Sequence, residues 1–224
     1  MESELTQFFS VNKTQIQFSI PLEFQLETIY IRAIPKDILQ CNFLKEINLF
    51  HGFGFTEEDI DNGSITFYFC FEEVIYLAQC YGPEHFLLNG IFWPKPIQPT
   101  FDDIYNGLKY TNASRISIIY PVYSFFRNEK YIVRSGLKYG VDFILYEKSP
   151  TVVHASYSVK IGNFLPNDIY QGLSKSQLGK PIKWRDVIGL LRLTEAISKD
   201  LLLVTPDLND KFKIHCTCIQ RCKI

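Results

Sequence analysis

Residues 136–161 read GLKYGVDFILYEKSPTVVHASYSVKI, and the period of two in this stretch decides how the second half of the chain folds. Val141, Phe143 and Leu145 alternate with Asp142, Ile144 and Tyr146. Further on, His154, Ser156, Ser158 and Lys160 fall on one face, and Ala155, Tyr157, Val159 and Ile161 on the other. Successive side chains of a strand point to opposite faces, so both runs predict half-buried strands. Between them the polar, Pro-marked EKSPT predicts a short hairpin loop. On this reading Tyr146 ends the first strand and His154 opens the second, so a phenol meets an imidazole at one end of the hairpin.

Working outward, residues 162–182 contain Gly, Pro and Ser and predict a surface loop. The run from Trp184 to about Leu203 predicts a helix followed by a buried strand, LLLVT. At 100° per residue, Val187, Leu190, Leu191, Thr194 and Ile197 form its core stripe, with Arg192, Glu195 and Lys199 on the other side. Upstream, the apolar run from Ile116 to Phe126 predicts a helix, and YIVRSG leads from it into the hairpin. Residues 90–103 carry three prolines and mark the expected domain boundary, with a helix from about Phe101 to Lys109 after it. In the first half, residues 14–34 predict strands broken at Pro21. Residues 36–50 predict a helix with Ile38, Leu39, Phe43, Leu44 and Ile47 inward. A second helix, FCFEEVIYLAQCYG, turns Phe71, Val74, Ile75, Leu77 and Ala78 to a core, and Glu72 and Glu73 complement its dipole. The turn His51-Gly-Phe-Gly-Phe is too short for a nucleotide-binding loop.

The expected fold class is therefore mixed α/β, with a small N-terminal α/β domain over 1–100 and a second domain over 101–224. At 224 residues, 46% of them hydrophobic, the chain has enough apolar surface for a sizeable core. MESELTQFFS does not read as a signal peptide, and no run reaches the roughly 20 apolar residues of a membrane span, so an intracellular chain without a membrane segment is expected. The net charge of −1 hides an asymmetry: residues 1–109 hold 6 Lys and Arg against 15 Asp and Glu, whereas residues 110–204 hold 13 against 7. An acidic half suits a protein partner and a basic half a polyanion. Six cysteines without a secretory signal read as thiols. His215, Cys216, Cys218 and Cys222 raise the question of zinc, but Cys-x-Cys is poor spacing for tetrahedral ligation; a terminal strand is the better reading, and no metal or cofactor is assigned.

Tyr146, His154 and Lys199 are the candidate catalytic groups. Cleaving RNA with its own 2′-hydroxyl needs a base for that proton, an acid for the leaving 5′-oxygen and a cation on the developing charge. A phenol acts as base only if a nearby positive charge favours its ionised form, which a lysine could supply; an imidazole is a natural acid. Spacing alone leaves plain alternatives open: a satisfied strand histidine, a core tyrosine, and a lysine paired with Glu195.

Three segments carry a family resemblance. GLKYGVDFILYEKSPTVVHASYSV resembles the C-terminal catalytic domain of tRNA-splicing (tRNA-intron) endonucleases, LLRLTEAISKDLLLV the helix and strand after it, and ITFYFCFEEVIYLAQCYG the element that ends the family's N-terminal domain. The wording G-L-K-Y-G-x-D and H-A-S-Y-S-V is most similar to the subunit that cuts the 5′ splice site. The resemblance implies a restriction-nuclease-like catalytic domain, a mixed sheet flanked by helices. It implies metal-independent cleavage of intron-containing pre-tRNA in the nucleus, leaving a 2′,3′-cyclic phosphate and a 5′-hydroxyl. It makes Tyr146 the general base, His154 the general acid and Lys199 the transition-state stabiliser. The implied partners are pre-tRNA, a non-catalytic relative and a second catalytic subunit. Arg192 matches a substrate-binding arginine that clamps a base with an aromatic partner through cation–π stacking. Cys222 takes the place of the family's C-terminal Trp, and a thiol cannot stack on a base as an indole does.

Two rival readings are weaker. A metal-dependent nuclease would need an acidic residue at the right distance before an Asp/Glu-x-Lys signature, which Asp142 and Glu147-Lys148 do not provide. A non-catalytic structural or RNA-binding subunit typically lacks one of the three groups, and this chain has all of them.

Overall fold

The computed structural model describes residues 18–26, 30–59, 63–108, 115–162, 183–207 and 213–220. The expected loop over 162–182, apart from Gly162, and Cys222 lie outside these residues. The chain forms two compact units, Met1–Ile116 and Ser117–Ile224. The division falls after the Pro-rich stretch and not within it. A helix at Phe101–Leu108 therefore stays with the first unit, tied there by the Trp93 indole, which donates to the Asp103 carbonyl at 3.2 Å.

The first unit holds strands β1 (Leu22–Leu26) and β2 (Ile31–Ala33), helix α1 (Ile38–Leu49), strands β3 (Phe55–Glu58) and β4 (Ile65–Phe69), helix α2 (Phe71–Tyr81), strand β5 (Phe86–Asn89) and helix α3 (Phe101–Leu108). Its sheet runs β3-β4-β2-β1-β5, with β1 and β5 parallel. Its core is aromatic: Phe24 meets Phe69 edge-on at 5.5 Å and Phe86 at 5.7 Å. Helix α1 departs from its expected stripe. Ile38 and Leu39 are exposed, and Gln40 is buried instead. The Gln40 side chain donates to the Ile20 carbonyl and accepts from the Lys36 N–H, so its polar atoms are satisfied inside. Glu73 does more than complement a dipole. Buried at the start of α2, it accepts from the Cys70 and Gly54 N–H groups, both at 2.9 Å. Gly54 must be glycine: φ is +61°, and a Cβ would lie 2.5 Å from the Tyr68 carbonyl oxygen.

The second unit begins with helix α4 (Ile116–Asn128), whose first residue closes the first unit, and continues with strands β6 (Ile132–Ser135), β7 (Phe143–Tyr146) and β8 (Tyr157–Ile161). Helix α5 (Trp184–Ala196) and strands β9 (Asp200–Pro206) and β10 (Ile214–Ile219) complete it. The sheet order is β10-β9-β8-β7-β6, with β8 and β9 parallel and the other neighbours antiparallel. Both faces of the sheet are covered. On one, Ile144, Leu201 and Leu203 pack with Val187 of α5, joined by the partly buried Leu190 and Leu191. On the other, Phe143 meets Tyr123 of α4 at 5.8 Å. This is the expected mixed sheet flanked by helices. It also explains why β7 is buried at Phe143, Ile144 and Leu145 alike, where a half-buried alternation was expected. The terminal strand β10 carries Cys216 and Cys218, both exposed.

Candidate active site

The hairpin is present, but its loop is longer than expected. β7 and β8 pair Phe143 with Val159, Ile144 with Ser158 and Leu145 with Tyr157. The pairing ends with the Ser156 N–H donating to the Leu145 carbonyl at 2.9 Å. The chain between turns at Ser149, whose carbonyl accepts from the N–H groups of Val152 and Val153. The Ser156 hydroxyl then donates to Glu147 Oε1 at 3.0 Å and ties the two ends of the loop together. His154 accordingly sits in the loop and does not open β8, which starts at Tyr157. Its neighbour Ala155 is 5% exposed and packs into the core cluster, while His154 itself stays in solvent. An anchored residue beside an exposed imidazole suits a group that must meet a substrate.

Tyr146 ends β7 as expected and packs against the cluster beneath α5. Burial pushes its phenol above the ordinary tyrosine range, the Tyr139 phenol adds to that, and the Arg134 guanidinium pulls it back down. Arg134 and Tyr139 are the neighbours that sequence reasoning missed. A signal was available for Arg134: it is the one charged residue in the apolar run YIVRSG, a run that pairs with β7.

Lys199 is not on a helix. Helix α5 stops at Ala196. The Lys199 N–H donates to the Thr194 carbonyl and the Ser198 N–H to the Glu195 carbonyl, both at 2.9 Å, with Ser198 at φ +54°. That is a Schellman stop with serine where glycine is usual. It delivers Lys199 half-buried to the start of β9, its Nζ 3.1 Å from the Ile197 carbonyl. Next to it, the Asp200 N–H donates to the Ser156 carbonyl at 3.2 Å.

These bonds bring the three segments together. β7 ends where β8 begins because the two are antiparallel, and β9 begins beside β8 because those two are parallel. Tyr146, the His154 loop and Lys199 therefore lie at one end of one sheet. Arg192 lies exposed on α5. Among the described residues no group of three or more His, Cys, Asp or Glu is placed to hold a metal, and no helix is long and apolar enough to cross a membrane.

Comparison with known proteins points the same way. The tRNA-splicing endonuclease subunit Sen2 of Mus musculus is 40% identical over 84 residues, covering 38% of this chain and 17% of that protein. Subunit Sen2-1 of Arabidopsis thaliana is 36% identical over 88 residues, covering 39% and 32%. The tRNA-splicing endonuclease of Sulfolobus acidocaldarius is 33% identical over 92 residues, covering 41% and 43%. The chain thus spans less than half the length of each of these relatives. The model of the tRNA intron endonuclease, catalytic C-terminal domain, matches residues 116–214. That match runs from helix α4 to the start of β10, so this stretch of the chain is similar to a tRNA intron endonuclease catalytic domain.

Proposed function

We propose that the chain is a catalytic subunit of a tRNA-splicing endonuclease that cuts intron-containing pre-tRNA, at the 5′ splice site, in a nuclear complex with related subunits. The observation that carries this reading is the convergence of Tyr146, His154 and Lys199 at one end of a sheet within a matched catalytic domain. Tyr146 takes the proton of the 2′-hydroxyl, which attacks the adjacent phosphorus. His154 protonates the departing 5′-oxygen, and Lys199 stabilises the charge that builds on the phosphorane. The P–O5′ bond breaks as the P–O2′ bond forms, leaving a 2′,3′-cyclic phosphate and a 5′-hydroxyl. None of these steps assigns work to a metal ion. Arg192, exposed on α5, serves to hold a base at the cut site.

The test is to assemble the complex with its partner subunits and follow cleavage of an intron-containing tRNA with analysis of both ends. Full activity in His154→Ala would end the reading. Complete loss of cutting in EDTA would favour metal-dependent hydrolysis. An intact 5′ junction with a cut 3′ junction would leave the chain a non-catalytic partner or assign it the other site. Imaging of the tagged chain tests the nuclear placement.

A further inference from the structure

We infer that Arg134 is a positioning residue for Tyr146, the fixed cation that draws its phenol toward the ionised form; this deepens the reading of Tyr146 as the base and rests on it. Strand register carries the inference. β6 and β7 are antiparallel, with Arg134 opposite Ile144 and Ile132 opposite Tyr146. Cross-strand partners share a face, and residues two apart on a strand share one too, so Arg134 and Tyr146 are diagonal neighbours on one side of the sheet. Such diagonals lie about 7–8 Å apart at the backbone, within reach of an arginine side chain. The face is the one beneath α5, since Tyr146 packs there against the cluster that holds Ile144, Leu201 and Val187. Arg134 is half-buried, so its charge is less screened than that of an exposed lysine.

Among the described residues, two side chains act on the ionisation of Tyr146 besides burial. Tyr139, from the turn between β6 and β7, opposes the phenolate, and Arg134 favours it. Helix α5 contributes Leu190 and Leu191 to the shared cluster, which are apolar. In the loop after β7, Glu147 is held by the Ser156 hydroxyl. Lys199, which sequence reasoning offered for this role, holds its Nζ to the Ile197 carbonyl in its own turn. The two cations therefore divide the work: Arg134 acts on the base and Lys199 remains for the phosphorane.

The experiment uses the assembled complex and the variants Arg134→Gln, Arg134→Lys and Tyr146→Phe. Two quantities are read: the cleavage rate against pH, and the titration of Tyr146 labelled with 3-fluorotyrosine and followed by fluorine NMR. Arg134→Gln should move the label's titration up by about one unit. A unit is a factor of ten in ionised fraction, and because a less acidic phenol is a stronger base, the rate at neutral pH should fall about three- to tenfold. Arg134→Lys should recover most of both changes. An unmoved titration in Arg134→Gln with Tyr146→Phe inactive overturns the role of Arg134 alone. Wild-type cutting by Tyr146→Phe overturns the reading of Tyr146 as base, and the inference falls with it. A rate loss in Arg134→Gln that Arg134→Lys fails to recover, with the titration unmoved, assigns Arg134 to folding and also overturns the inference.

Discussion

Replacing Asp142 by alanine should loosen the hairpin more than any exposed substitution in it. Asp142 Oδ2 accepts from the Ile161 N–H at 2.8 Å and lies 3.1 Å from Lys160 Nζ. The Asp142 side chain is 14% exposed and that of Lys160 25%. The backbone of Asp142 is engaged as well: its N–H donates to the Val159 carbonyl at 2.9 Å, and its carbonyl accepts from Gly136 at 3.0 Å. One carboxylate thus joins the start of β7 to the end of β8. A hydrogen bond to a charged group contributes about 1.5–3 kcal/mol, and alanine leaves the buried Ile161 N–H without its acceptor. The ion pair is partly exposed and adds less than about 1 kcal/mol. Asp142→Ala should therefore cost about 2–3 kcal/mol, Asp142→Asn about 1 because an acceptor oxygen remains, and Lys160→Met under about 1. Native-state hydrogen exchange of the amides of β7 and β8 reads these losses locally. If Asp142→Ala protected Ile161 as well as wild type does, or if Lys160→Met cost as much as Asp142→Ala, the carboxylate would not be the clamp.

Three further outcomes follow from buried polar groups and backbone geometry. The Ser158 side chain is fully buried and its hydroxyl has no partner among the described residues, so Ser158→Ala should raise the urea midpoint of the second unit, by about 1 kcal/mol; a loss would show that the hydroxyl is satisfied. Ser198 holds a left-handed conformation that glycine adopts at no cost. Ser198→Gly should stabilise the stop before Lys199 by up to about 1 kcal/mol, and Ser198→Val should destabilise it, as thermal melts would show. Burial pushes the Glu72 carboxyl up to about 7, so the folded state favours its protonated form. The stability this gives is present below the unfolded value near 4.5 and is lost as pH rises through 7. Glu72→Gln should therefore match wild type near pH 4 and exceed it at pH 8 by about 1 kcal/mol, discounted because the side chain is only part-buried; equal stability at pH 8 would refute this.

The regular elements were legible where one physical signal dominated. Val187 and Thr194 of α5 are buried as the helical period demands, and the run LLLVT lies in β9, buried as its composition implies. Reasoning from period alone failed where a polar side chain found a partner inside. Gln40 replaced Ile38 and Leu39 in the core of α1 because two backbone groups awaited its amide. It failed again where the usual punctuation was missing. T-E-A-I-S-K-D contains neither Gly nor Pro, so nothing in the letters marks the stop after Ala196, and Lys199 reads as one more turn of helix. The bonds to Thr194 and Glu195 end the helix all the same, with Ser198 bearing the strained backbone.

That stop has a consequence for the site. On a helix continued past Ala196, Lys199 would share the outer face of Arg192, turned from the sheet. Ending the helix at Ala196 places Lys199 directly before β9, whose pairing with β8 is parallel. The bond from Asp200 to Ser156 then brings it beside the segment that carries His154. Tyr146 arrives at the same end because β7 runs against β8. The three residue types could be chosen from the sequence, but their meeting depends on one parallel and one antiparallel pairing and on a serine in the left-handed region. Changing Ser198 to a β-branched residue should therefore slow cleavage more than it lowers stability, because it moves Lys199 while leaving the core beneath α5 intact. Equal losses in rate and stability would show that the stop serves only the fold.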